Sequence, residues 1–382
     1  MKVLFPIEGD GGGAVTHVLM LAKTLPKEKI QTFVAFLTSG PSVQVANKLG
    51  LNGKLISKKF VLDPILIWRL TKIMSDEKID IVHTHTIRGN FYARIASVLS
   101  QRAMMSLTSV HSFIVDELKG STEDGLRNLL LAKRELYTSK LVDHFIPVSD
   151  KIKGRLLESG IPDSKITVIE NGVEMPDLSL AHIHDKSVRK EFSIDHDEAI
   201  IGIVGRLVPL KNHSLFLEAA RRVLNTNPST KFLVVGDGVL LNSLKNKAKD
   251  LNIDKNVIFT GWRNDVQRLL CAVDIYTICS LIEGMNISVL EAMACAKPVI
   301  GTRVKGISEI VLNNETGFLV PSSNVTSLAE AMIKLINDRE MSRKMGLKGR
   351  QLVEKNYSVD KMIQKIVNLY EDLLCKRTSC GK

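Results

Sequence analysis

Residues Cys279 to Thr302 read CSLIEGMNISVLEAMACAKPVIGT, and their pattern decides the architecture. The apolar run Asp274–Cys279 just before has the length and composition of a buried strand. A loop follows from Ser280 to Met285, with Gly284 supplying backbone freedom. Asn286 is a helix N-cap, and the helix it starts runs from Ile287 to about Ala296. Lys297-Pro298 stops that helix, and Val299-Ile300 begins the next strand. A strand, loop, helix and strand in this order form the unit of a parallel α/β sheet.

Such a turn presents free backbone N–H groups and the positive end of a helix dipole, which suit a phosphate. Glu283 lies in the loop and Glu291 in the helix. Carboxylates do not bind phosphate, but they accept hydrogen bonds from sugar hydroxyls. The combination reads as a nucleotide-sugar site, with a diphosphate at the helix end and a carboxylate for each sugar ring. Glu283-x7-Glu291, within EGMNISVLEAMA, resembles the signature of the retaining glycosyltransferases of family four, which have the GT-B fold. Two solvated glutamates on an amphipathic helix are the bland alternative. The flanking strands, the glycine and the EAMA run count against it.

Working outward, strands are expected at Val3–Ile7, Thr32–Leu37, Ile79–Thr84, Ala103–Val110, Phe145–Val148 and Ile166–Ile169. Helices are expected at Val15–Leu25, Pro64–Met74, Gly89–Leu99 and Glu123–Thr138. The alternation predicts a doubly wound, mainly parallel sheet. The polar segment from Glu174 to about Glu198 reads as a linker. A second α/β run follows, with strands from Ile200, Phe232, Val257, Asp274, Pro298 and Phe318. A helical tail covers Val325 to Leu374. The resulting fold class is α/β, with two Rossmann-like domains that the resemblance places across a cleft. Residues 1–175 form the acceptor-side domain and residues 198–356 the donor domain. The resemblance also returns the last helix, about 357–376, to the first domain.

In the first half, Gly9-Asp10-Gly11-Gly12-Gly13-Ala14 joins a strand to a helix. It formally matches the dinucleotide fingerprint, which opens an NAD(P)-dependent oxidoreductase as a rival. The rival expects an acidic residue after the second strand, where Thr38-Ser39-Gly40 stands instead. The resemblance gives Gly12 and Gly13 another role, close backbone approach to donor phosphate or acceptor. His83 and His85 share one side of a strand and, with no third ligand nearby in sequence, make a poor metal site. His85 is a candidate for lining the cleft. Trp68, on the helix begun by Asp63-Pro64, belongs to a buried helix or to a membrane-facing one. His111 follows an apolar strand and resembles the family histidine beside the reacting sugar.

In the second half, Gly205-Arg206 and Lys211 resemble the family's Gly-Arg…Lys motif. Arg offers a fork and Lys a point charge for a departing diphosphate. Gly261-Trp262-Arg263 resembles the loop beside the nucleobase. Asp195-His196-Asp197 formally matches an Asp-x-Asp metal motif, but it precedes a strand and reads as a solvated turn. No metal is therefore expected, and no cofactor. Arg206, Lys211 and the helix dipole would do a metal's electrostatic work.

Composition narrows the partners. The chain has 382 residues, 52 Lys and Arg against 41 Asp and Glu, and a net charge of +11. That balance favours anionic partners, but dispersed basic residues and few aromatics show no nucleic-acid module. The five cysteines (271, 279, 295, 375 and 380) lack metal-ligand spacing and read as reduced thiols. No apolar run approaches the roughly 18 residues of a membrane helix, and MKVLFPIEGDGGG reads as a first strand, not a signal peptide. A cytoplasmic protein is expected, with peripheral contact at the inner membrane face left open.

The reading that follows is a retaining, metal-independent hexosyltransferase using a nucleotide-diphosphate sugar, UDP-linked in preference to GDP-linked. Its acceptor is the hydroxyl of a sugar or lipid-linked sugar in cell-surface polysaccharide or glycolipid synthesis. As the resemblance implies, His111, Arg206, Lys211 and Glu283 are catalytic. The donor set is Gly12, Gly13, Arg206, Lys211, Arg263, Glu283, Gly284, Met285, Asn286 and Glu291, with Glu291 on the ribose. A non-catalytic sugar-nucleotide binding protein is the other alternative.

Overall fold

A computed structural model describes residues 1–8, 12–57, 63–100, 102, 104–112 and 133–380. The chain divides into two compact units, Met1–Asn171 with Asp360–Lys382, and Gly172–Val359. The expected turn residues Gly9, Asp10 and Gly11, Ala103 of the expected fourth strand, and residues 123–132 of an expected helix lie outside the described residues.

The first unit carries β1 (Lys2–Ile7), α1 (Gly13–Thr24), β2 (Gln31–Phe36), α2 (Pro41–Lys48), β3 (Gly53–Leu55), α3 (Pro64–Asp76), β4 (Ile81–Thr84), α4 (Ile87–Leu99), β5 (Met105–Val110), β6 (His144–Pro147) and α5 (Asp150–Glu158). Residues 133–139 are also helical. The strands are all parallel, in the order β3-β2-β1-β4-β5-β6. Chain direction across the sheet reverses between β1 and β4, the place where open α/β sheets build sites.

The second unit carries α6 (Ala181–Phe192), β7 (Ile200–Val204), α7 (His213–Val223), β8 (Lys231–Val235), α8 (Leu241–Asp250), β9 (Val257–Gly261), α9 (Val266–Ala272), β10 (Ile275–Ile278), α10 (Ile287–Ala294), β11 (Val299–Thr302), β12 (Gly317–Val320), α11 (Val325–Asn337) and α12 (Arg339–Asn356). Its parallel order is β12-β11-β10-β7-β8-β9, with the reversal between β10 and β7. The last helix, α13 (Val359–Cys380), belongs almost wholly to the first unit. There Tyr370 Oη lies 2.6 Å from His83 Nδ1, and Lys365 reaches Glu170 at 2.7 Å.

Strand alternation sets the two apolar layers of the second unit. Ile201, Ile203, Phe232, Val234, Ile275 and Ile300 face α7 and α11. Ile200, Leu233, Val235, Tyr276, Ile278 and Val299 face α9 and α10. Successive strand residues point to opposite faces, so a parallel sheet covered on both sides needs both sets apolar.

Three expectations are corrected. The segment Glu174–Glu198 is not a plain linker, because it holds α6, packed on α9 through Val188. Its polar sequence conceals the helix because the anchoring is ionic: Arg189 Nε donates to Asp185 at 2.7 Å, and Glu191 takes Arg263 and Arg268. Ile166–Ile169 is no strand. It runs beside β6 with two backbone bonds, Thr167 N to Phe145 O and Ile169 N to Pro147 O. The helix α3 is only half-buried: Leu66, Leu70 and Met74 turn inward, while Trp68 is 62% exposed. The edge strand β3 was not expected, since its three residues are all exposed and carry no alternation.

Candidate active site

In the second unit, the chain reversal brings together the loops that follow β7 and β10. Leu281 N donates to Leu210 O at 2.9 Å and ties the two loops. Lys211 Nζ meets Glu283 Oε1 at 2.5 Å, and both side chains are largely buried. The same carboxylate oxygen accepts from Ser280 Oγ at 2.6 Å and Asn286 Nδ2 at 3.0 Å. Glu283 is thereby held as an oriented acceptor at the N-terminal end of α10.

Asn286 caps α10 by accepting from Val289 N at 3.1 Å and from Ser288 Oγ at 2.6 Å. Ser288 Oγ in turn lies 2.7 Å from Tyr276 Oη. A polar chain thus runs from the loop into the sheet, and burial raises the Tyr276 phenol above its ordinary range. Gly306, with φ of 92°, lies against the loop so closely that a Cβ there would stand 2.1 Å from Gly284 O. Gly236 does the same for the other loop, at 2.0 Å from Gly205 O.

Arg206 is exposed and has no ion-pair partner among the described residues. Glu291 is partly buried one helix turn beyond Ile287 and Ser288. Burial, helped by the nearby Glu174 carboxylate, pushes it up to about 7. A carboxyl so placed gains from a hydrogen-bonding ligand that replaces lost water.

In the first unit, β4 and β5 end side by side at the reversal, and α1 begins over the same edge. His85 follows β4, His111 follows β5, and His17 lies on α1. His85 Nδ1 and His111 Nε2 are 3.2 Å apart. The ring of His17 stands 5.3 Å from that of His85 and 4.9 Å from that of His111. Burial, together with the neighbouring imidazoles, holds His17 and His85 well below the ordinary histidine range, and burial holds His111 to about 4. His83 is not part of this group. Its two ring nitrogens meet Tyr370 Oη and Ser109 Oγ, at 2.6 and 2.9 Å.

Residues 185–352 match the family model described as glycosyl transferases group 1, and residues 11–175 match glycosyltransferase family 4. The Escherichia coli UDP-Gal:alpha-D-GlcNAc-diphosphoundecaprenol alpha-1,3-galactosyltransferase is 30% identical over 312 residues, which span 81% of this chain and 79% of that one. The chain is a family-four glycosyltransferase. A second relative, the N-acetyl-alpha-D-glucosaminyl L-malate synthase of Bacillus anthracis, is 27% identical over 82% of this chain and 80% of its own. Among solved structures, Anabaena HepE in complex with UDP-glucose superposes with a TM-score of 0.84 at 20% identity. It covers 97% of this chain and 100% of its own, and it establishes the shared GT-B fold.

In this glycosyltransferase the tertiary structure brings Lys211, Glu283, Gly284, Met285 and Asn286 to one loop junction, with Arg206 on the adjoining loop. Gly12 takes φ of 105° at the head of α1, where Gly13 is the first helical residue. Arg263, a candidate donor residue, is ion-paired within the second unit. Its guanidinium is held by Asp265 and Glu191, with bonds of 2.6 to 2.9 Å, and these carboxylates raise its pKa further.

The sequence reading missed Ser280, Ser288 and Tyr276, which carry no motif of their own. It also missed His17. A lone histidine on an apolar helix face reads as packing, and only the ends of β4 and β5 show what it faces. Family membership removes the oxidoreductase alternative.

Proposed function

We propose that this glycosyltransferase transfers a sugar from a UDP-linked donor to a hydroxyl acceptor, with retention at the anomeric carbon and without a metal or other cofactor. The observation that carries the reading is the Lys211–Glu283 pair at the N-terminal end of α10, with Arg206 on the same loop as Lys211 and without an ion-pair partner among the described residues. Arg206, Lys211 and the helix dipole supply positive charge for a departing diphosphate. Glu283, oriented by Ser280 and Asn286, accepts from donor-sugar hydroxyls, and Glu291 accepts from the ribose. His111 keeps the role the resemblance gives it, beside the reacting sugar. The acceptor hydroxyl attacks on the face the diphosphate leaves, and a diphosphate oxygen takes its proton.

The UDP assignment is supported by the donor in the Escherichia coli relative's name and by the UDP-glucose held by HepE. The deciding measurement is thermal stabilisation by UDP-, GDP-, ADP- and dTDP-sugars, with and without chelator. A chelator-insensitive shift with the UDP series alone, followed by an α-linked product from an α-linked donor in NMR, is the expected result. A shift that needs a divalent ion, or an inverted product, sinks the mechanism.

The acceptor is proposed to be a lipid-linked sugar met at the inner membrane face by a cytoplasmic enzyme. Among the described residues no helix is long and apolar enough to cross a membrane. The outer side of α3 supports peripheral contact instead: Ile65 and Trp68 are exposed, with Lys54, Arg69 and Lys72 around them. Apolar and cationic side chains on one face suit an anionic lipid surface. Trp68→Ala is expected to lower co-sedimentation with anionic liposomes several-fold and leave donor binding unchanged.

A further inference from the structure

We propose that His17, His85 and His111 form a binding site for a divalent transition-metal ion of zinc's class. One ligand nitrogen from each of the three rings lies within 4.8 Å of the others. The nitrogens of a tetrahedral zinc site stand about 3.3 Å apart, given Zn–N bonds of about 2.0 Å. The 3.2 Å between His85 Nδ1 and His111 Nε2 already matches one such edge.

The polar balance of the pocket favours this use. His17 Nδ1 is buried with no hydrogen-bond partner among the described residues. An orphaned buried nitrogen is destabilising, and a ligand that engages it recovers part of that cost. His83, its ring tilted against that of His85 with centroids 4.2 Å apart, has both ring nitrogens bonded to Tyr370 and Ser109, so it acts as a wall and not as a ligand.

The donor set selects the ion. Three imidazoles with no carboxylate in the group suit zinc, copper(II) or nickel, whereas magnesium and calcium want oxygen. His111 is also the residue assigned to the reacting sugar. A bound ion would take it out of use, so the site is inhibitory. This consequence, unlike the binding itself, rests on the proposed function.

The test uses the full chain after chelator treatment. Zn2+ is titrated against a chromophoric chelator, and the ligand shell is read by X-ray absorption. One equivalent per chain with nitrogen ligands near 2.0 Å is expected. His17→Ala and His85→Ala should each weaken binding at least about tenfold. Co2+ titrated into the unmodified chain should give the intense visible bands of four-coordinate cobalt, a readout that needs no variant to fold. Sulfur in the shell, binding unchanged in both variants, or only weak six-coordinate cobalt bands overturns the site. Sugar transfer should fall on Zn2+ addition in the unmodified chain and resist it in His17→Ala. Equal inhibition of both overturns the inhibitory role. If no donor supports transfer, the functional reading fails, while stoichiometry and ligand shell still judge the site.

Discussion

Glu283 Oε1 collects three donors, from Lys211, Ser280 and Asn286, and that concentration fixes where its other lone pairs point. Glu283→Gln keeps the shape but loses the charge that holds Lys211. Transfer is expected to fall about 100-fold or more, with the melting temperature little changed. Steady-state assays beside thermal melts check it, and parent-rate transfer by Glu283→Gln or Lys211→Ala removes both from the site. Glu291 gives a pH signature. Its native pKa of about 7 lies above the ordinary carboxylate value of 4.5. The native state therefore holds this proton more tightly than the unfolded chain does. The resulting stability is fully present below the unfolded value and is lost as pH rises through about 7. Glu291→Gln should flatten that part of the melting-temperature profile and melt higher than the parent at about pH 8.

At the level of elements, backbone packing shapes the loops. Gly306 stands at φ of 92° directly against Gly284 O. An added Cβ must displace the loop that carries Glu283, so Gly306→Ala should reduce donor affinity by more than its loss of stability explains. Isothermal titration with the donor, set against a melt, separates the two effects. The docking of α13 is polar as well as apolar, because Tyr370 is fully buried with its hydroxyl on His83. Tyr370→Phe leaves His83 Nδ1 unpaired and is expected to cost about 1–3 kcal/mol in denaturant unfolding. The capped helices were easy to read from sequence. Asp63 with Pro64 starts α3 and Asn286 starts α10, since a cap is a local bond between neighbours. The helix α6 was not, because its anchors lie on α9 and the loop before it.

For the whole molecule, the two units each have their own sheet and core, and the proposed donor-binding side chains Arg206, Lys211, Glu283 and Glu291 all lie in Gly172–Val359. A fragment of residues 172–359 is expected to melt cooperatively and to keep the nucleotide-sugar shift while losing transfer. Calorimetry of that fragment, with and without donor, checks it, and a fragment without a transition refutes its independence. Residues 1–171 alone are expected to be much less stable, because the chain returns to complete that unit with α13.

The sequence by itself determined the alternation of strands and helices, the loop-to-helix turn at Ser280–Asn286 and the charged pair of motifs around it. These are local: periodicity, caps and short spacings are set by residues within a few positions of each other. Tertiary structure alone decided which distant side chains meet. Lys211 reaches Glu283 because β7 and β10 are neighbours at the sheet's reversal. Arg263 turns to Glu191 because α6 packs on α9. His17 joins His85 and His111 because a parallel sheet places the ends of β4 and β5 beneath the helix that follows β1. Strand order carries those meetings, and it depends on long-range pairing that no local pattern encodes.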